Sequence, residues 1–115
     1  MRYIKTFEKY ITNHDEYQVL NLIDFNKNFN KKKISKLDKL KSLLIGKIIE
    51  FRGIIEGIKY EDKKYILHKY FITDIFLTGI WSYKFETESG QRYNVDNNYP
   101  IKIYTMESDA RKYNI

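Results

Sequence analysis

The 115-residue chain has no cysteine, one proline, five glycines and one tryptophan. Without cysteine there is no disulfide framework, no thiolate zinc site and no cysteine nucleophile. That suits a reducing compartment. So little proline and glycine leaves little material for linkers, and a single domain over residues 1–115 is expected. No apolar run approaches the ~20 residues that a membrane-spanning helix needs. The first residues, Met1 to Asn13, set charges inside an apolar pattern, unlike a secretory leader. No glycine-rich phosphate loop is present, because Gly53 to Gly57 lacks the Lys-Ser/Thr ending. His14 and His68 have no nucleophile or carboxylate partner at a recognisable spacing. No His or carboxylate group has metal-ligand spacing. These absences point to a binding protein with no catalytic residues, no metal and no cofactor.

What the chain does have is aromatic surface and localised charge. The hydrophobic fraction of 43% is too high for a disordered chain and sufficient for a folded one. The net charge is +6, and residues 1–60 hold 13 Lys/Arg against 7 Asp/Glu, whereas residues 61–115 hold 8 against 8. Residues 27–47 alone hold 8 Lys against the single Asp38. A localised basic segment is what phosphate-backbone binding requires. It equally suits an acidic protein, or simply the solvated side of a helix. The candidate contacts are Lys31, Lys32, Lys33, Lys36, Lys39 and Lys41. All are Lys, which lacks the planar fork that reads guanine, so nucleic-acid binding here would be tolerant of sequence.

The hydrophobic period divides the chain near Gly46. Tyr3, Ile4, Phe7, Tyr10 and Ile11 are spaced as on a helix over 3–12. Asp15 can cap a second helix carrying Tyr17, Val19, Leu20, Ile23 and Phe25, before a polar loop at Asn26 to Asn30. Ser35 and Asp38 form a variant capping box ahead of Leu37, Leu40, Leu43 and Leu44, and Gly46 ends that helix. Alternation follows. Residues 47–53 read as a strand with Ile49 and Phe51 on one face, and 54–69 as a long loop. Residues 70–77 read as a strand apolar on both faces, Phe71, Ile75 and Leu77 against Tyr70, Ile72 and Phe76. Trp81, Tyr83 and Phe85 alternate on the next strand, a hairpin at Ser89-Gly90 leads to Tyr93 and Val95, and a turn at Asn97–Pro100 leads to a last strand, 101–104. Residues 109–113 read as a terminal helical turn.

This succession of element lengths resembles an SH3-like small barrel over residues 47–104. The segments carrying it are Gly46-Lys-Ile-Ile-Glu-Phe-Arg52 and Tyr83-Lys-Phe-Glu-Thr-Glu-Ser-Gly-Gln-Arg-Tyr-Asn-Val95. An oligonucleotide-binding Greek-key barrel is the competing pattern. The fold expected is α+β, with N-terminal helices (1–46) packed on a five-stranded SH3-like barrel (47–107) and a C-terminal turn (108–115). Tyr60, Tyr65, Tyr70 and Tyr104 fall near the rim of such a barrel, where rings can stack on bases or dock a peptide.

Lys5-Thr-Phe-Glu-Lys-Tyr-Ile11 resembles the short leader of internal head proteins of large tailed bacteriophages. The resemblance implies a phage protein packaged in the virion or acting in the host cytoplasm, and the abundance of Lys, Asn, Ile and Tyr suits an AT-rich genome. Two functions from different classes follow as expectations. One is sequence-tolerant nucleic-acid binding by the lysines and rim tyrosines. The other is a protein-interaction module, a virion component or an inhibitor of a host protein, with an acidic protein as its partner. A small enzyme is the third class, with no substrate suggested.

Overall fold

The computed structural model describes residues 10–29, 33–57, 65–79 and 81–107, with the backbone alone at 33–35. The elements are β1 (Ile11–Asn13), β2 (Gln18–Leu20), α1 (Leu22–Asn28), α2 (Lys33–Leu44), β3 (Ile48–Ile55), β4 (Ile66–Leu77), β5 (Tyr83–Thr87), β6 (Arg92–Val95) and β7 (Ile101–Tyr104). The protein is therefore α+β.

Strand β3 organises the sheet. Along one edge it pairs with β4, from Ile48↔Phe71 to Gly53↔Ile66. Its other edge is shared: β7 takes Ile48 to Glu50, and β6 takes Gly53 to Ile55. The meander β3–β4–β5–β6 thus returns to β3 and closes a small barrel. At the crossing, a Cβ on Gly53 would lie 2.8 Å from the Asn94 carbonyl oxygen. Only glycine lets the β6 backbone come that close. Beyond the barrel, β7 extends the sheet through β2 to β1, giving seven strands among the described residues where five are expected.

Those extra strands correct the helical reading of the N-terminus. Residues 11–13 and 18–20 form a hairpin, closed by the His14 amide donating to the Tyr17 carbonyl at 2.9 Å. Apolar residues at 10, 11, 17, 19 and 20 satisfy a helical or a strand period equally. Pairing of β2 with β7, which neither period reveals, decides for strand. Helix α1 starts later than expected, with Asn21 rather than Asp15 as its cap: the Asn21 side chain accepts from the Asp24 amide at 3.1 Å. It also runs through Asn26 to Asn28, where a loop is expected, and buries Leu22, Phe25 and Asn26.

Helix α2 ends as expected at Gly46, in the left-handed region at φ +82. The Gly46 amide donates to the Ile72 carbonyl, and the Ile72 amide to the Lys47 carbonyl, which ties the helix end to β4.

Strand β4 is longer than expected, beginning at Ile66, and its two faces do not alternate throughout. The register against β5 shifts between Ile72 and Asp74, so Thr73 is a bulge. Ile72 and Ile75, on opposite faces of a regular strand, both become fully buried. They share the core with Ile49, Phe51, Tyr83, Phe85, Tyr93 and Val95 from the barrel, and with Leu20, Phe25, Leu40 and Leu44 from outside it. Trp81 is the exception among the expected core rings. It precedes β5, in a turn closed by Thr78 and Ser82, and is 51% exposed.

Candidate functional site

The bulge at Thr73 divides β4 into two halves with different neighbours. From Ile72 to Leu77 it pairs with β5, and from Ile66 to Phe71 with β3. Over Ile66–Tyr70, no strand among the described residues pairs with its second edge. An open edge presents unpaired backbone donors and acceptors. Among the described residues it is also where apolar exposure concentrates: Tyr65, Ile66, Leu67 and Tyr70 are each at least 40% exposed, Ile66 the most of these at 61%.

Two faces flank this half-strand. On the inward face, His68 and Tyr70 lie over the mouth of the barrel. The His68 ring packs at 4.5 Å from Tyr93 and 5.6 Å from Phe51, and Tyr70 stacks on Tyr93 at 5.5 Å. His68 Nε2 lies 3.2 Å from the Gly53 carbonyl oxygen, so the imidazole is a packed, hydrogen-bonded member of an aromatic cluster. Burial, then hydrogen bonding with Tyr70 and the charge Tyr70 would carry, pushes the Tyr93 hydroxyl up to about 12. It stays a neutral donor, to Gln91 Oε1 at 3.2 Å.

On the outward face, Lys69 pairs with Glu107 at 2.9 Å and sits 3.9 Å over the Tyr104 ring. Tyr104 donates to Glu50 Oε1 at 2.9 Å, and Lys102 Nζ is 3.8 Å from Glu50 Oε2 and 4.9 Å over Tyr17. Burial, then the Glu50 hydrogen bond and nearby negative charge, pushes Tyr104 up to about 12. Arg52 fixes the start of β4: its Nη2 donates to the Tyr65 carbonyl at 3.1 Å and its guanidinium covers Tyr99 at 5.2 Å.

The described candidate residues fall in different places. Tyr65 and Tyr70 meet on the open half of β4, whereas Tyr104 belongs to the outward ladder of charges. Lys36 is not solvated: it is 1% exposed, with Nζ 5.7 Å from the Tyr83 ring centre. It precedes Leu40 and Leu44 by four and eight residues, so it lies on the buried stripe itself. Lys41 reaches Asp74 at 3.6 Å, and Lys39 is half-buried. Lys31, Lys32 and Tyr60 lie outside the described residues, and Lys33 is described only as the first backbone position of α2.

Sequence reasoning missed Ile66 and Leu67 by placing them in a loop. Their signal is the alternation Ile66, His68, Tyr70 against Leu67, Lys69, Phe71, which continues the strand backwards. Of the phage leader-like stretch, only Tyr10 and Ile11 are described. Tyr10 is buried, edge-on to Phe25 at 5.0 Å, and Ile11 opens β1, so its end belongs to the folded core.

Among the described residues no group of three His, Asp or Glu is placed to hold a metal ion, and no helix is long and apolar enough to cross a membrane. Compared with protein-family models, curated proteins and solved structures, the chain matches none.

Proposed function

We propose that this is a protein-interaction module without catalytic residues, and that its barrel is of the SH3-like type. The barrel assignment rests on the order of its elements: a meander of four strands, a tight hairpin at 88–90, a turn at 97–100 and a last strand returning to β3. The binding surface is the first half of β4, where a partner's extended segment adds as a further strand. Backbone hydrogen bonds along the edge supply affinity, and Tyr65, Ile66, Leu67 and Tyr70 take alternate side chains of the partner. One observation carries this reading: a strand edge unpaired among the described residues and the exposed apolar side chains coincide within six residues. Natural proteins normally blunt such an edge unless it is used.

Charge selects the kind of segment. Residues 63–73 contain three Lys and one His and no Asp or Glu, although Glu61 and Asp62 directly precede them and Lys69 is already paired with Glu107, so the positive balance is modest. An extended segment alternating apolar residues with Asp or Glu is complementary to it. The lysines of α2 lend a phosphate track little support, because Lys36 is core and Lys41, like Lys69, faces a carboxylate.

The test is selection from a random peptide library displayed without a fixed fold. The expected binders are acidic, alternating segments. The double variant Ile66→Ser and Leu67→Ser, at two exposed sites, removes apolar contact without adding charge and should weaken them at least about tenfold, while Lys41→Glu leaves them unchanged. Binders indifferent to the double variant would overturn the reading. So would the absence of peptide binding together with salt-sensitive binding of single-stranded DNA.

A further inference from the structure

Two turns and one face of α1 border a cavity of about 310 Å³ lined by Ile23, Asn26, Lys27, Trp81, Asn97 and Asn98. Its size is that of a site for a small organic ligand rather than for a single water. Its walls are held in place by the fold. Asn26 is 4% exposed and accepts the hydroxyl of buried Tyr83. The turn carrying Asn97 and Asn98 is fixed by the Asn98 amide donating to Asp96 Oδ1 at 2.9 Å. The turn carrying Trp81 is closed by the Thr78 amide donating to the Ser82 carbonyl at 2.8 Å.

The lining has a specific chemistry. Trp81, 51% exposed, supplies a broad aromatic surface, and Ile23, 40% exposed, an apolar wall. Three amides, Asn26, Asn97 and Asn98, supply hydrogen-bonding groups, and exposed Lys27 is the one charged residue in the lining. Asn97 donates Nδ2 to the Trp81 carbonyl, which fixes the orientation of its amide. Its Oδ1 is then a buried acceptor with no partner. An unpaired buried acceptor costs free energy, and because this one is shut off from solvent a ligand reaches it only when the Asn97 amide turns toward the cavity. A flat apolar body, edge donors and acceptors, and a negative charge answer these groups together. A cationic ligand would meet Lys27 with no carboxylate in the lining to offset it.

We propose that this cavity binds a nucleotide, with the base on Trp81, its polar edge toward the asparagines and its phosphate toward Lys27. The base comes from a free mononucleotide or from a single-stranded nucleic acid, two sources that share the same chemistry. The lining of this site shares no residue with the β4 edge, and neither proposal requires the other.

Trp81 is the only tryptophan in the chain, so its fluorescence reports occupancy directly. The four nucleoside 5′-monophosphates are titrated beside ribose 5-phosphate, glucose and a short single-stranded oligonucleotide. A saturable change with at least one mononucleotide or with the oligonucleotide is expected, and which of the two binds tighter identifies the source. Lys27→Glu, at an exposed position, should weaken that binding about tenfold. Trp81→Ala, followed by calorimetry, should weaken it by roughly 5- to 150-fold, the range of one base stack. Asn98→Ala, also exposed, guards against misfolding of either variant and should weaken binding without altering the circular dichroism. No response to any nucleotide, an equal response to glucose or ribose 5-phosphate, or binding that ignores both Lys27→Glu and Trp81→Ala would overturn the assignment.

Discussion

Tyr83 shows how one side chain joins the two parts of the molecule. Its ring is 1% exposed inside the barrel, and its hydroxyl donates to Asn26 of α1. Burial pushes that hydroxyl far above the usual tyrosine range, so it remains a donor at any ordinary pH. Tyr83→Phe leaves the buried Asn26 oxygen without this donor and should cost about 1–3 kcal/mol in urea denaturation. Tyr93 and Tyr104 give a pH signature. Both are raised from 10.0 to about 12, so the folded chain keeps protons that the unfolded chain releases. The stability they confer is complete below pH 10 and is lost as pH rises toward 12. The urea midpoint should fall across that window, and a flat or rising midpoint would contradict neutral hydroxyls on these two rings. Lys36 marks the limit of reading residues singly. As one of eight lysines in a basic run it looks solvated, but its helical spacing to Leu40 and Leu44 places it in the core.

At the level of elements, local chemistry predicted what local forces control. The end of α2 at Gly46, the hairpin at Gly90 and the inward sets Ile49/Phe51, Tyr83/Phe85 and Tyr93/Val95 were all legible, because turn glycines and strict alternation are properties of neighbouring residues. What was not legible depends on distant partners. The β1–β2 hairpin exists because β7 pairs with β2. The Thr73 bulge exists because β4 changes partner from β3 to β5, and it turns Ile72 and Ile75 to the same side. Trp81 kept the alternation of its neighbours in sequence but lies beyond the last β4–β5 pair, Leu77↔Tyr83. Closure of the barrel has its own test. Gly53→Ala sets a methyl group against the Asn94 carbonyl where β3 meets β6. It should destabilise by about 1–3 kcal/mol, and a neutral result in thermal or urea unfolding would argue against so close an approach of the two strands.

For the whole molecule, the closed barrel leaves one long strand only half covered by the described residues, and the binding reading follows from that geometry. The first half of β4 has β3 on one edge, an aromatic mouth on one face and a ladder of paired charges on the other. About half of this candidate surface was legible, namely Tyr65 and Tyr70, because rings near a loop signal a rim. Ile66 and Leu67 were not, because only the pairing with β3 shows that the strand begins there. The open edge is best checked by hydrogen–deuterium exchange across β4, with and without an acidic extended peptide from the selection. The edge-facing amides between Ile66 and Tyr70 should exchange quickly in the free protein and slow markedly with peptide, while those of Tyr83–Thr87 do not change. Slow exchange along Ile66–Tyr70 in the free protein, or peptide protection confined to other strands, would rule out strand addition at this edge.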